Sequence, residues 1–123
     1  MAEPSTMTTQ INRAIEAHKA WKQRLYQAIE TGASEWTPAE VAAEDRCAFG
    51  QWLASFPEAE RERKYDNVRD LHAQFHREAG RVLGLALDGE AARARAGLGL
   101  GSRYDSLTTQ LRIALELWRD LNI

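Results

Sequence analysis

Apolar side chains recur along this chain at the four-three spacing of α-helical faces. Between about Thr9 and Thr31, the positions Ile11, Ile15, His18, Lys22, Leu25 and Ile29 define one stripe, widened by Ala14, Trp21 and Ala28. Gly32 follows as a C-terminal stop. Thr37-Pro38-Ala39-Glu40 reads as a capping box, with a threonine cap, a proline at the first helical position and a glutamate reaching back. A short helix is expected after it, and another over about Cys47 to Ser55.

Beyond Pro57 the pattern predicts a long helix over roughly Glu58 to Leu87. Its seam is Tyr65, Val68, His72, Phe75, Ala79, Val82 and Ala86, and Asp88-Gly89 weakens or ends it. Gly97-Leu98-Gly99-Leu100-Gly101 is a break, because each glycine costs a helix interior about 1 kcal/mol. It reads as a hinge. A last helix is expected over about Ser102 to Leu121, with Leu107, Leu111, Ala114, Trp118 and Leu121 on one face.

No alternating apolar pattern stands out, and β-branched residues are scarce. The expected fold is all-α: an antiparallel four-helix-type bundle with additional short helices. Residues 1–8 are expected to form a flexible N-terminus and residues 9–123 a single domain.

Composition narrows the function. Apolar residues make up 44% of the 123, enough for a core. With 16 basic against 18 acidic residues, the net charge of -2 offers no electrostatic attraction to nucleic acid or an anionic membrane. No apolar run approaches the roughly 18 residues a membrane span requires. Met1 to Thr9 is polar and lacks a signal-peptide core, so a cytoplasmic location is expected. The basic positions Arg93, Arg95 and Arg103 and the mixed run Glu58 to Lys64 read as solvated helix surface.

The candidate chemistry lies in three histidines and one cysteine. His72 and His76 are four apart on the long helix, which puts both rings on one face within reach of one metal ion. His18 lies in the apolar stripe of the first helix, where each ring nitrogen needs a partner. A lone cysteine excludes an internal disulfide, so Cys47 reads as a buried small hydrophobe, a reactive thiol or a metal ligand. Three imidazoles and one thiolate form the tetrahedral, borderline-soft donor set that zinc prefers. Each residue alone also has a packing role open to it, and the tryptophans Trp21, Trp36, Trp52 and Trp118 read as core or bundle-edge packing. What joins the four donors is that they use the whole histidine and cysteine inventory.

Three segments resemble the chemoreceptor zinc-binding (CZB) domain family: His18-Lys19-Ala20-Trp21, Cys47-Ala48-Phe49-Gly50-Gln51-Trp52-Leu53, and Leu71-His72-Ala73-Gln74-Phe75-His76. Their order and gaps look like the family pattern, and the Cys-x-Phe-Gly-x-Trp-Leu piece is the most specific. The resemblance runs from about Ala14 to Leu121, the last third matching in helical pattern only. It implies a four-helix bundle holding one Zn²⁺ through His18, Cys47, His72 and His76. It also implies a cytoplasmic, often dimeric sensory module that works with a chemoreceptor or diguanylate cyclase and answers to zinc or to oxidants such as hypochlorous acid.

No methyl-accepting region or cyclase domain is present, so the chain is expected to be a stand-alone member or an excised domain. A catalytic role is not expected: four protein donors leave no open coordination position. Neither a phosphate-binding loop nor the larger histidine-carboxylate set of a di-iron bundle is present. The alternative to sensing is a structural or interaction bundle in which zinc is only a stabilising staple. A homodimer is expected from apolar surface at Trp36, Leu98 and Leu100.

Overall fold

The computed structural model describes residues 4–121, with side chains from Met7 onward. Among these residues no strand forms, and the elements are helices in the order α1 (Pro4–Thr31), α2 (Pro38–Ala42), α3 (Ala48–Ala54), α4 (Arg63–Leu87), α5 (Ala91–Ala96) and α6 (Arg103–Asp120). Short 3₁₀ turns at Glu44–Arg46 and Glu58–Glu60 join them. The fold is all-α and consistent with a four-helix-type bundle. The long helices α1, α4 and α6 pack on one another, while α2 lies along α4 and α3 bridges α4 and α1.

The helical seams fill the core. Ile11, Ala14, Leu25 and Ala28 of α1 meet Val68, Phe75, Ala79 and Val82 of α4 and Leu107, Leu111 and Leu115 of α6, all buried. Every residue of the expected α4 seam is buried. Elsewhere Ile15 is half-buried, and two seam positions are exposed. Lys22 is exposed, so α1 faces the core through Ala14, His18, Leu25 and Ala28. Leu121 follows the last residue of α6 and is 63% exposed.

Several boundaries differ from the pattern. Helix α1 begins at Pro4, so residues 4–8 of the expected flexible N-terminus are helical, and residues 1–3 lie outside the described ones. Helix α4 begins at Arg63, not Glu58. Arg61 leaves helical geometry, and its Nε–H donates to the Phe56 carbonyl, which holds residues 58–62 as a separate turn. The expected capping box at Thr37 and Glu40 is present. Gly32 ends α1 at φ 71°, with its N–H on the Ala28 carbonyl.

Helix α5 was not expected, and neither was the burial of Leu98, which removes it from the apolar surface expected for a dimer. The glycine-rich segment acts as a close-packed corner: a Cβ on Gly97 would stand 3.2 Å from the Val82 side chain. Leu100 is 97% exposed and Trp36 36%. Among the described residues no helix is long and apolar enough to cross a membrane.

Candidate metal centre

Three elements deliver the four side chains. His18 projects from the middle of α1, and His72 and His76 from successive turns of α4. Cys47 is the N-cap of α3, in extended geometry, and its Sγ accepts the Gly50 N–H at 3.3 Å. The glycine is required there, because a Cβ on Gly50 would collide with the Glu44 carbonyl. That close approach seats the first turn of α3 on the preceding 3₁₀ turn, and the thiol S–H lies 3.4 Å from the same Glu44 oxygen.

The structure brings all four sequence-selected residues together: one donor atom from each lies within 4.8 Å of every other. The closest approaches are His72 Nε2 to His18 Nε2 at 3.0 Å, His18 Nε2 to His76 Nε2 at 3.3 Å, and Cys47 Sγ to His72 Nε2 at 3.3 Å. Around a tetrahedral zinc with Zn–N of about 2.0–2.1 Å, nitrogen donors stand about 3.3 Å apart, and a thiolate stands about 3.6 Å from them. The nearest approaches fall close to those edges.

Proton placement strengthens the fit. His18 Nδ1 lies 2.6 Å from the Ala14 carbonyl, and His76 Nδ1 lies 2.8 Å from the Val41 carbonyl. A carbonyl only accepts, so both Nδ1 atoms carry the hydrogen and both Nε2 atoms present bare lone pairs. Two lone pairs 3.3 Å apart cannot hydrogen-bond to each other; a cation between them satisfies both. His72 differs, since its Nδ1 is buried with no hydrogen-bond partner and its tautomer is not fixed by a carbonyl.

Burial sets the charge state. Desolvation lowers His18 to about 4 and His72 to about 2, the latter helped by the neighbouring His18 and His76. His76 is also lowered by burial, opposed by its bond to Val41 and by the Glu44 charge. The imidazoles are therefore neutral at pH 7, the state in which they coordinate metals. Burial raises the Cys47 thiol, against the N–H groups at the start of α3.

The rings are enclosed by aromatic edges. Phe49 meets His18 and His72 at 6.1 and 5.2 Å between centroids, and Phe75 meets His18 at 5.1 Å. Sequence reasoning did not find the outer acceptors. Ala14 is readable in hindsight as the i−4 carbonyl of a helical histidine, whereas Val41 reaches His76 only through the packing of α2 on α4.

The group is arranged to bind one metal ion, and the sequence comparison agrees. A family model described as the chemoreceptor zinc-binding domain matches residues 18–83, more than half of the chain. The match opens on His18 and spans Cys47, His72 and His76, ending before α5 and α6. No curated protein and no solved structure matches the chain.

Proposed function

Because the chain belongs to the chemoreceptor zinc-binding domain family, we propose that His18, Cys47, His72 and His76 are the four ligands of one zinc ion in a cytoplasmic sensory or regulatory module. The observation that carries this reading is the convergence of three Nε2 atoms and one Sγ, with two of the Nδ1 atoms already committed to carbonyls. When bound, the ion supplies a closed tetrahedral cross-link between α1, the Cys47 turn and α4, with no position left for a substrate.

The signal enters through Cys47. It is the one half-buried member of the set, and it stands on a short segment anchored by few contacts. Oxidation of its sulfur, or a fall in zinc supply, withdraws the donor that fastens α3 to α4. Val41 adds a second fastening, because its carbonyl orients His76 from α2. Residues 38–54 thus form the segment whose docking reports the state of the site, and a change there is passed to a signalling partner such as a chemoreceptor, a diguanylate cyclase or a second copy of the chain.

Metal analysis of the purified protein beside Cys47→Ala tests the ligand assignment. One zinc per chain is expected. The variant should lose more affinity than the ~10–100-fold typical of outer-sphere substitutions. Native protein without stoichiometric zinc, or a variant that holds it as tightly, refutes the assignment.

A further inference from the structure

The three histidines are closed off from solvent, His72 completely, while Cys47 is half-buried. A third cavity, of about 530 Å³, touches the cluster only at the buried His18, so the approach to a half-exposed donor runs past the cysteine. Two surface cavities reach it: one of about 380 Å³ that touches Cys47 and His76, and one of about 300 Å³ that touches Cys47 and His18. Both share Ala17, Trp21 and Cys47 in their walls, so Trp21 is the partition between two approaches to one atom.

The larger cavity has a built mouth. Trp36 stands on the loop between α1 and α2, with its ring 5.3 Å from Trp21 in an edge contact. The Arg24 guanidinium lies over both rings, 5.0 Å from Trp21 and 5.3 Å from Trp36. Across the opening, Arg46 pairs with Glu40 at 3.6 Å. Trp36 is the wall carried by a non-helical loop, and its backbone N–H is held locally by the Ser34 hydroxyl. Two arginines against one glutamate make the mouth cationic, although the chain as a whole carries -2.

We propose that this cavity is the route by which the metal site exchanges its ion with small anionic chelating molecules, and that Trp36 is its lid. The proposal rests on the zinc-ligand reading above. A lid held by an edge-on ring contact and cation–π contact opens by a local loop movement, with no disturbance of the core. The cationic mouth repels a free dication and attracts a carboxylate or thiolate carrier, so exchange proceeds by an anion entering beside Cys47.

A lid changes the rates of entry and release together and leaves equilibrium affinity unchanged, and this separates it from a ligand. The test is the rate of zinc removal from the zinc-loaded chain by a polycarboxylate chelator, for the native protein, Trp36→Ala and Leu100→Ala. Zinc stoichiometry and affinity are measured on the same samples. Leu100 lines neither cavity. Trp36→Ala should release zinc about tenfold faster, with affinity within about threefold of native, and Leu100→Ala should match the native rate.

An unchanged release rate in Trp36→Ala overturns the lid, and so does an affinity loss that matches the faster release. Ionic strength tests the ligand class. Attraction at the mouth makes removal by the anionic chelator slower as salt rises, whereas repulsion by the net charge of the chain would make it faster. A rate that is flat or rises with salt overturns the anionic carrier. Native protein that binds no zinc is seen in the stoichiometry and removes the ligand reading itself.

Discussion

Desolvation acts in opposite senses on the clustered side chains: it keeps three imidazoles uncharged and keeps the thiol protonated. The imidazoles therefore have no proton to give up when a metal arrives at pH 7, while Cys47 has one. Zinc uptake at neutral pH should release about one proton, so apparent affinity should rise about tenfold per pH unit. Calorimetry in buffers of different ionisation enthalpy measures this directly; zero release would mean that the sulfur does not coordinate as thiolate. A second consequence concerns the metal-free protein. Unfolded histidine protonates near 6.5, but folded His18 does so only at about 4 and His72 at about 2. Between these values the unfolded chain binds more protons. The contribution to stability is intact above pH 6.5 and is lost as pH falls through the folded values. Urea midpoints of the metal-free protein should decline steadily from pH 7 to pH 4, and the His72→Phe variant should show a shallower decline. At this scale the candidate site was legible in the sequence, because four side chains of the right type and a helical i, i+4 pair can be read without coordinates. The proton positions were not, since they depend on carbonyls that packing supplies.

Among the elements, α2 shows how closely the site depends on small residues. Gly80 of α4 lies under α2: a Cβ there would stand 2.8 Å from both the Ala42 Cβ and the Pro38 carbonyl oxygen. Gly84, one turn further along the same helix, would place its Cβ 3.8 Å from the Pro38 ring, an ordinary contact. The same substitution should therefore have opposite signs at the two positions. Gly84→Ala gains about 1 kcal/mol of helix propensity. Gly80→Ala gains the same propensity but pushes α2 away, and overpacking of this kind typically costs ~1–3 kcal/mol. It also shifts the Val41 carbonyl from His76, so zinc affinity should fall together with stability. Chemical denaturation of the two variants, with zinc titration, checks both signs. Neither contact was visible in the sequence, which does not show what packs against Gly80 or Gly84. The seams of α1, α4 and α6 were legible because each repeats over several turns. Helix α5 and the turn at residues 58–62 were not, because each spans fewer than two turns and is held by contacts such as Arg61 Nε to Phe56 and Gly97 against Val82.

For the whole molecule, the decisive feature is that the core and the donor cluster are adjacent but separable. Ile11, Leu25, Phe75, Val82, Leu111 and Leu115 bury one another between α1, α4 and α6, and none of them depends on the metal to be covered. Residues 38–54 depend on it more. Their fastenings to the bundle include Cys47 beside His72, the Val41 carbonyl on His76, and the Tyr65 hydroxyl donating to the Leu53 carbonyl at 2.6 Å. Chelation removes the reason for the first pair to converge, loosens the second because the His76 ring is no longer fixed by the metal, and leaves the third. The expected response is local: most of the helical circular dichroism survives, while the amides of Val41, Ala43, Gly50 and Gln51 lose exchange protection. These amides bond to Glu40 and Cys47 within the segment and to Thr37 at its N-cap, so its release exposes them together. Amides around Val82 should exchange as in the loaded protein, because the seam they belong to is unchanged. This pattern is what a switch requires, since a partner can read a segment that moves on a bundle that stays folded. Cooperative loss of the entire helical signal on chelation would instead make the metal a structural staple and remove the sensory reading.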